Sequence, residues 1–392
     1  MASARSSKAT KATRGKPKVI AAELWTAGQR RAATIHEISY RACFKPQLPA
    51  YFIERHTKPG DVVYDPFSGR GTTPIEAALQ GRKVIANDIN PLSALLAAPR
   101  LALPDVDAIA ERLALIPKHI AGRAPPLAMF YERKTLRELM ALRDWLLHRR
   151  ASGEADALDG WIGMVATNRL TGHSPGFFSV YSFPPNQAVT AAGQTRINAQ
   201  RGQKPTYRDT HALILKKSKQ LLRGLEASQT KALRKAGKTA RFLTGDARRT
   251  PQIKRGSVAL TVTSPPFLDV VDYAGDNWLR GWFNGLPVKQ IASAMTVPRT
   301  VPQWSLVMGE VLQELFRITR PDGVVAFEVG EVKKGAIKLD EVVVPLGIAA
   351  GFKAESVLIN TQRFTKTAHI WGVANNADGT NSNRIVVFRK PA

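Results

Sequence analysis

Between Asp61 and Asn90 a strand, a glycine turn, a helix and a second strand follow one another without a gap, and that order leaves little choice of fold. DVVYDPF (61–67) is rich in valine and aromatics and is preceded by Pro59-Gly60, which predicts a buried strand. SGRG makes a tight turn. TTPIEAALQG (72–81) predicts a helix, capped by Thr72 or Thr73, with Pro74 in its first turn and Gly81 at its end. KVIANDIN (83–90) is the next strand. This is the opening unit of a doubly wound α/β sheet.

The sheet pattern resumes late in the chain. ARFLTGDAR (240–248), SVALTVTSPPF (257–267), DGVVAFEVG (322–330), GFKAESVLI (351–359) and NRIVVFRK (383–390) bring the candidate strands to seven. The last two are expected to pair antiparallel. Residues 19–56 show mixed helical patterning, and 92–120, 136–150, 210–235, 277–283 and 304–319 predict helices. Residues 174–205 are rich in Pro, Gly, Asn and aromatics and show no periodicity. The expected organisation is a basic arm (1–18), a Rossmann-like catalytic domain (19–100 and 238–392) and a largely helical, basic insert (101–237).

The formal charge of +26 favours a polyanionic partner, nucleic acid above all. A basic solvated surface or a ribosome-associated protein is the plainer alternative. The arm MASARSSKATKATRGKPK has no acid and no large apolar residue after Met1, so it does not make a presequence-like amphipathic face. It reads as a disordered segment that tracks phosphates. Cys43 is the single cysteine, which excludes an internal disulfide framework and fits a reducing, cytoplasmic setting. No apolar run reaches the roughly 20 residues of a membrane span. His36, His56, His173, His211 and His369 show no metal-ligand spacing, so no metal is expected.

Three features sit at the carboxyl ends of predicted strands, where doubly wound sheets bind ligands. In DPFSGRGTT (65–73), Gly69 and Gly71 allow a backbone turn close to a ligand, ahead of a helix start with free N–H groups. The third glycine of the dinucleotide fingerprint is missing. Asp88, nineteen residues beyond Gly69 (88 − 69), is placed to accept from ribose hydroxyls; a turn acid is the plain alternative. In TSPPF (263–267), two prolines fix the backbone and remove two N–H groups. That frees carbonyls to accept from an amino group. Ser264 adds a hydroxyl and Phe267 a flat face.

Together, DPFSGRGTT and TSPPF resemble the amino-methylating DNA methyltransferases, the N4-cytosine and N6-adenine family. The resemblance covers about 61–90 and 241–390, and Phe44 to Val63 resembles the family's lead-in segment over the cofactor. It implies a methyltransferase sheet binding S-adenosylmethionine through Phe44, Lys45, Pro46, Asp65, Pro66, Phe67, Ser68, Gly69, Gly71, Thr72, Thr73, Asp88 and Ile89. Gly245-Asp246-Ala247-Arg248 resembles the acidic loop beside the adenosine, adding Asp246 and Ala247. It also implies a catalytic segment of Ser264, Pro265, Pro266 and Phe267. There Phe267 stacks on a flipped base, and Ser264 with the Pro265 carbonyl accepts from its exocyclic amino group. Ser-Pro-Pro is associated with cytosine and Asp-Pro-Pro with adenine, which favours cytosine N4. Ring-carbon methylation needs a cysteine nucleophile, and Cys43 lacks the expected Pro-Cys setting, so it reads as a packed small hydrophobe.

The insert is the expected DNA-gripping region. Lys204, Arg208, Lys216, Lys217 and Lys219 are assigned to phosphates. Gln187, Gln194, Asn198 and Gln200 are candidate base readers, with polar surface as the stronger alternative. Asn375 to Asn383 is a second candidate contact or only a turn. The expected partner is double-stranded DNA in a prokaryotic or phage nucleoid. A cognate restriction endonuclease, a phage role and a regulatory role are all compatible. The competing functions are an RNA amino-group methyltransferase, a protein amide methyltransferase (which usually carries Asn-Pro-Pro-Tyr) and a non-catalytic DNA-binding protein on the same fold.

Overall fold

Apolar side chains alternate between two faces along the strands, so the sheet is covered on both sides. The computed structural model describes residues 17–22, 24, 32–41, 43–119, 125–183, 189–266, 273–295, 298–332, 337–361 and 382–392. Its strands are β1 (Lys18–Ala22), β2 (Val62–Asp65), β3 (Lys83–Asp88), β4 (Arg241–Thr244), β5 (Val258–Thr263), β6 (Thr319–Val329), the two-residue β7 (Glu331–Val332) and β8 (Ile337–Lys338), β9 (Lys353–Thr361) and β10 (Ser382–Arg389). Eight of them form one sheet in the order β1-β9-β10-β6-β5-β2-β3-β4, and β7 pairs with β8 alone.

All seven expected strands are present, and the terminal pair is antiparallel as expected. β10 also runs antiparallel to β6, whereas β4, β3, β2, β5 and β6 are parallel neighbours. The eighth strand corrects the sequence reading. Lys18 was assigned to the arm and 19–56 to helical patterning. Instead, KVIAA runs parallel to β9, with Lys18 opposite Ser356 and Ala22 opposite Asn360. Its hydrogen bonds come from a partner more than 300 residues along the chain, which the local sequence does not show. The rest of the arm, residues 1–16, lies outside the described residues.

The helices form the two outer layers. On the first face lie α1 (Gln47–His56), α2 (Thr72–Leu79), α3 (Leu92–Ala97), α4 (Val106–Leu115), α5 (Arg133–Ala151), α6 (Ala157–Thr167), α8 (Thr210–Arg223) and α9 (Ala227–Gly237). The intervening α7 (Ala191–Gln200) buries only Gln194. After β5 come the short α10 (Tyr273–Asp276), α11 (Trp278–Phe283) and α12 (Val288–Ala294), then α13 (Val301–Ile318) and α14 (Leu339–Ala349). Val63, Leu260, Val262 and Val324 point to the first face, where Ile75, Trp161 and Leu233 share their cluster. Tyr64, Val325 and Phe327 point to the second, against Leu312 and Leu315 of α13 and Val343 of α14. The helices of 101–237 therefore join the apolar layer that covers the sheet. α8 and α9 replace the single helix expected over 210–235, and α7 falls where no periodicity was visible.

The second layer is packed closely enough that Gly347 of α14 has no room for a side chain: a Cβ there would overlap the Phe388 ring of β10. Gly347→Ala should lower stability by about 1–3 kcal/mol, the usual cost of overpacking, seen as an earlier denaturant midpoint. An unchanged midpoint would mean that α14 shifts freely on the sheet.

Candidate active site

The strand order places the site. β2 leads to β3 and β4 on one side, while β5 and β6 lie on the other. A crevice opens beyond the strand ends at such a reversal. Here it is a cavity of about 1150 Å³, its open mouth included, lined by residues at the ends of β2, β3, β4 and β5.

The loop after β2 is held by directional bonds. Gly69 and Gly71 both adopt positive φ, 51° and 83°. The Gly69 amide donates to Asp88 Oδ2 at 2.8 Å and the Asn90 amide to Asp88 Oδ1 at 2.9 Å. Asp88 thus anchors the turn while facing the cavity. Burial pushes its carboxyl up to about 6, against the pull of those two amides. Asn87 ties the neighbouring loops together, its Nδ2 donating to Gly245 O at 2.9 Å and Pro66 O at 3.3 Å. Behind the turn, buried Arg100 donates to the carbonyls of Arg70, Leu96 and Ile35. Its guanidinium is lowered to about 9 by desolvation.

Asp65 joins the two halves of the site. It is buried, and its Oδ1 accepts from Thr263 Oγ1 at 2.7 Å and the Phe67 amide at 3.1 Å. Burial raises this carboxyl to about 7, against the lowering effect of the Thr263 hydrogen bond. Thr263 leads directly into the proline turn, where Ser264 and Pro266 line the cavity. The Pro266 carbonyl is occupied by Trp304 Nε1 at 3.0 Å.

Most of the expected cofactor set meets at this cavity: Phe44, Asp65, Pro66, Phe67, Ser68, Gly69, Thr72, Asp88, Ile89, Asp246 and Ala247 all line it. Gly71 stands just behind the wall. Ser68 Oγ is buried and finds no partner among the described residues. Asp246 is paired with Arg248 at 2.6 Å, and that hydrogen bond holds its carboxyl below the usual range. Besides Gly71, four expected residues do not line the cavity. Lys45 and Pro46 lead into α1, Thr73 donates to the Val262 carbonyl at 3.0 Å, and Pro265 is buried beneath the turn. Phe267 lies outside the described residues.

The basic set also needs correction. Lys217 is 6% exposed and pairs with Glu37 at 3.1 Å. It falls on the inner face of α8 with Ile214, Ser218 and Leu221, a spacing legible in the sequence. Lys204, Lys216 and Lys219 are exposed and Arg208 is half-buried. Gln194 and Asn198 are bonded inward, to each other at 2.8 Å and to backbone carbonyls. Gln187 and most of 375–383 lie outside the described residues.

The opposite wall went unrecognised. Trp304, Val307, Met308 and Val311 of α13 line the cavity, with Met295 and Pro298 before them. Their i, i+3, i+4, i+7 spacing marks a helix face but says nothing about what it faces. Tyr40 and Cys43 complete the rim. Burial pushes the Cys43 thiol up, away from nucleophilic use. Among the described residues no group of three or more His, Cys, Asp or Glu could hold a metal ion, and no helix is long and apolar enough to cross a membrane.

Gly71 is the tightest point of the loop. A Cβ there would lie 2.6 Å from Ala97 Cβ and 3.1 Å from Arg100 Nη2, at a φ that L side chains rarely adopt. Gly71→Ala should cost about 1–3 kcal/mol, read as a lowered melting temperature. Wild-type stability would mean that α3 yields at no cost.

Residues 3–97 match a family model described as DNA methylase. A segment of 86 residues, 22% of this chain, is 36% identical to the Type II methyltransferase M.MjaII of Methanocaldococcus jannaschii and spans 16% of that protein. The chain therefore matches about one sixth of this relative's length. Among solved structures, the rRNA methyltransferase aviRa of Streptomyces viridochromogenes is 14% identical, with coverage of 91% of this chain and 90% of that one and a TM-score of 0.36. A putative DNA modification methylase of Thermus thermophilus in complex with S-adenosyl-L-methionine is 22% identical, covering 38% and 54%, with a TM-score of 0.23. The match to the DNA methylase model thus falls on the segment that builds β1 to α3, including the Gly69–Gly71 turn and Asp88.

Proposed function

We propose that this chain is an S-adenosylmethionine-dependent DNA methyltransferase acting on the exocyclic amino group of a flipped base, cytosine N4 in preference to adenine N6. The observation that carries the proposal is the single cavity that has Asp88 and the glycine turn on one side and the Ser264–Pro266 turn on the other. Residues 3–97, matched to the DNA methylase family, supply the first side.

The cavity fits the cofactor. Asp88 offers carboxylate lone pairs beyond those taken by two amides, suited to vicinal ribose hydroxyls. The buried, unpartnered Ser68 Oγ is a polar atom awaiting a ligand. The apolar wall around Met308 and Val311 suits a flat purine. When bound, S-adenosylmethionine supplies an electrophilic methyl group on a sulfonium. Phe44, Ser68, Asp88, Ile89, Asp246 and Ala247 are the proposed contacts, with the glycine turn setting the backbone close to it.

At the other side, Ser264 accepts a hydrogen bond from the base amino group and turns its lone pair toward the methyl. Phe267, outside the described residues, is the proposed stacking partner of the base. The rate then comes from orientation in a water-poor pocket, with no covalent enzyme intermediate. Trp304 keeps the turn in place by holding the Pro266 carbonyl. Asp65, bonded to Thr263, keeps it in register with the cofactor loop. The exposed Lys204, Lys216 and Lys219, with Arg208, are the proposed phosphate contacts on duplex DNA. A nucleoid setting and a cognate restriction endonuclease belong to the same proposal.

The deciding experiment is mass spectrometry of nucleosides from DNA and RNA incubated with the protein and labelled S-adenosylmethionine. Label in N4-methylcytosine is expected. Label in N6-methyladenine would overturn the base preference, and label in RNA alone would overturn the substrate. Ser264→Ala should lower kcat on the order of tenfold, the loss of one hydrogen bond, with cofactor affinity intact; undiminished turnover would remove Ser264 from the reaction.

The raised Asp88 carboxyl makes cofactor binding pH-dependent. Its ionised form accepts from the ribose, so affinity should climb as pH rises through about 6. Asp88→Asn should flatten that profile in calorimetric titrations. A profile identical in both proteins would place the titrating group elsewhere.

A further inference from the structure

The outer face of α7 supports a further assignment, which rests on the DNA methyltransferase reading above. From Gly160 to Arg208 the chain contains no Asp or Glu, while Arg169, Arg196, Arg201, Lys204 and Arg208 all fall within that stretch. α7 lies inside it.

A surface helix usually docks through an apolar stripe. α7 docks through amides instead. Gln194 is fully buried, and its Nε2 donates to Tyr181 O at 2.9 Å and Asn198 Oδ1 at 2.8 Å. Asn198 Nδ2 donates to Met129 O at 2.8 Å. Gln203, just past the helix, donates to the same Tyr181 and Asn198 oxygens. The Arg201 guanidinium stacks 3.8 Å above the Tyr181 ring. Directional bonds of this kind fix the rotation of a helix about its axis, which a greasy contact does less strictly.

That rotation leaves Ala192, Thr195, Arg196, Ala199 and Gln200 exposed. Their spacing is i, i+3, i+4, i+7, i+8, one continuous stripe. Its chemistry matches base edges. Arginine reads guanine through two hydrogen bonds, glutamine reads adenine the same way, and small methyl-bearing residues allow close approach and meet the thymine methyl. An α-helix fits the major groove of B-form DNA but not the deep, narrow groove of A-form RNA.

The mount of α7 reaches toward the reaction centre. Trp278, on the segment that follows the Ser264–Pro266 turn, donates from Nε1 to Val189 O at 3.2 Å, immediately before the helix. Its ring also packs 6.1 Å from Phe130, next to the Met129 carbonyl that anchors Asn198. One packed unit therefore carries both the stripe and α11.

We infer that α7 enters the major groove of the target duplex and reads base edges there, with Arg196 and Gln200 as specificity-determining residues. The test maps every methylated position in genomic DNA treated with the full-length protein. Arg196→Ala combined with Gln200→Ala should reduce discrimination between the preferred site and its single-base variants by roughly ten- to hundred-fold. Cofactor affinity and melting temperature should hold, since both side chains are exposed. Arg196→Lys keeps the charge and loses the planar fork, and should also relax the site. Discrimination retained in the lysine variant, or in the double variant, would overturn the assignment while leaving the methyltransferase reading intact. Wild-type protein that labels no DNA would overturn both.

Discussion

The hydrogen bond from Thr263 to Asp65 is the contact on which the site depends. It spans 198 residues of sequence and joins the end of β2 to the end of β5. These two strands are neighbours only because the sheet is wound outward in both directions from them. The bond is made where water is excluded, and burial keeps the Asp65 carboxyl near 7. A short polar link in such surroundings is directional and costly to leave unmade. It holds the glycine loop and the proline turn in one frame.

Around that link each loop is restrained from a different direction. Asp88 takes two amides, Asn87 bridges two carbonyls, and Trp304 takes the carbonyl of Pro266. These bonds use backbone groups left free where strands end. Catalysis by orientation needs a frame of this kind, because a loose loop would lose the alignment that lowers the barrier.

The glycine-turn side of the cavity was largely legible in the sequence. Gly69, Gly71 and Asp88 sit at spacings dictated by a strand, a turn and a helix, all local geometry. Seven strands were legible from apolar, β-branched runs bounded by turn residues, even though β2 and β4 are only four residues long. Lys18–Ala22 was not, because a five-residue edge strand is defined by the partner β9. Charge alone points to Lys217 as a phosphate contact, but helical phase places it inward beside Ile214 and Leu221. Gln194 and Asn198 were read as outward-facing amides, and tertiary hydrogen bonds turn them in. Lys45, Pro46, Thr73 and Pro265 belong to the right motifs but support the wall from behind. Motif membership says which segment approaches a ligand, and only packing says which side chain does.

The sequence by itself determined the α/β fold class, the glycine turn, the acid at the next strand end and the proline turn, because each is set by residues within a few positions of one another. The tertiary structure decided that the two turns share one cavity, that α13 supplies its apolar wall and that α7 presents Arg196 and Gln200 outward. Those outcomes depend on contacts between residues tens to hundreds of positions apart. Local propensity carries no information about such contacts, since their free energy appears only once the sheet has brought the partners together.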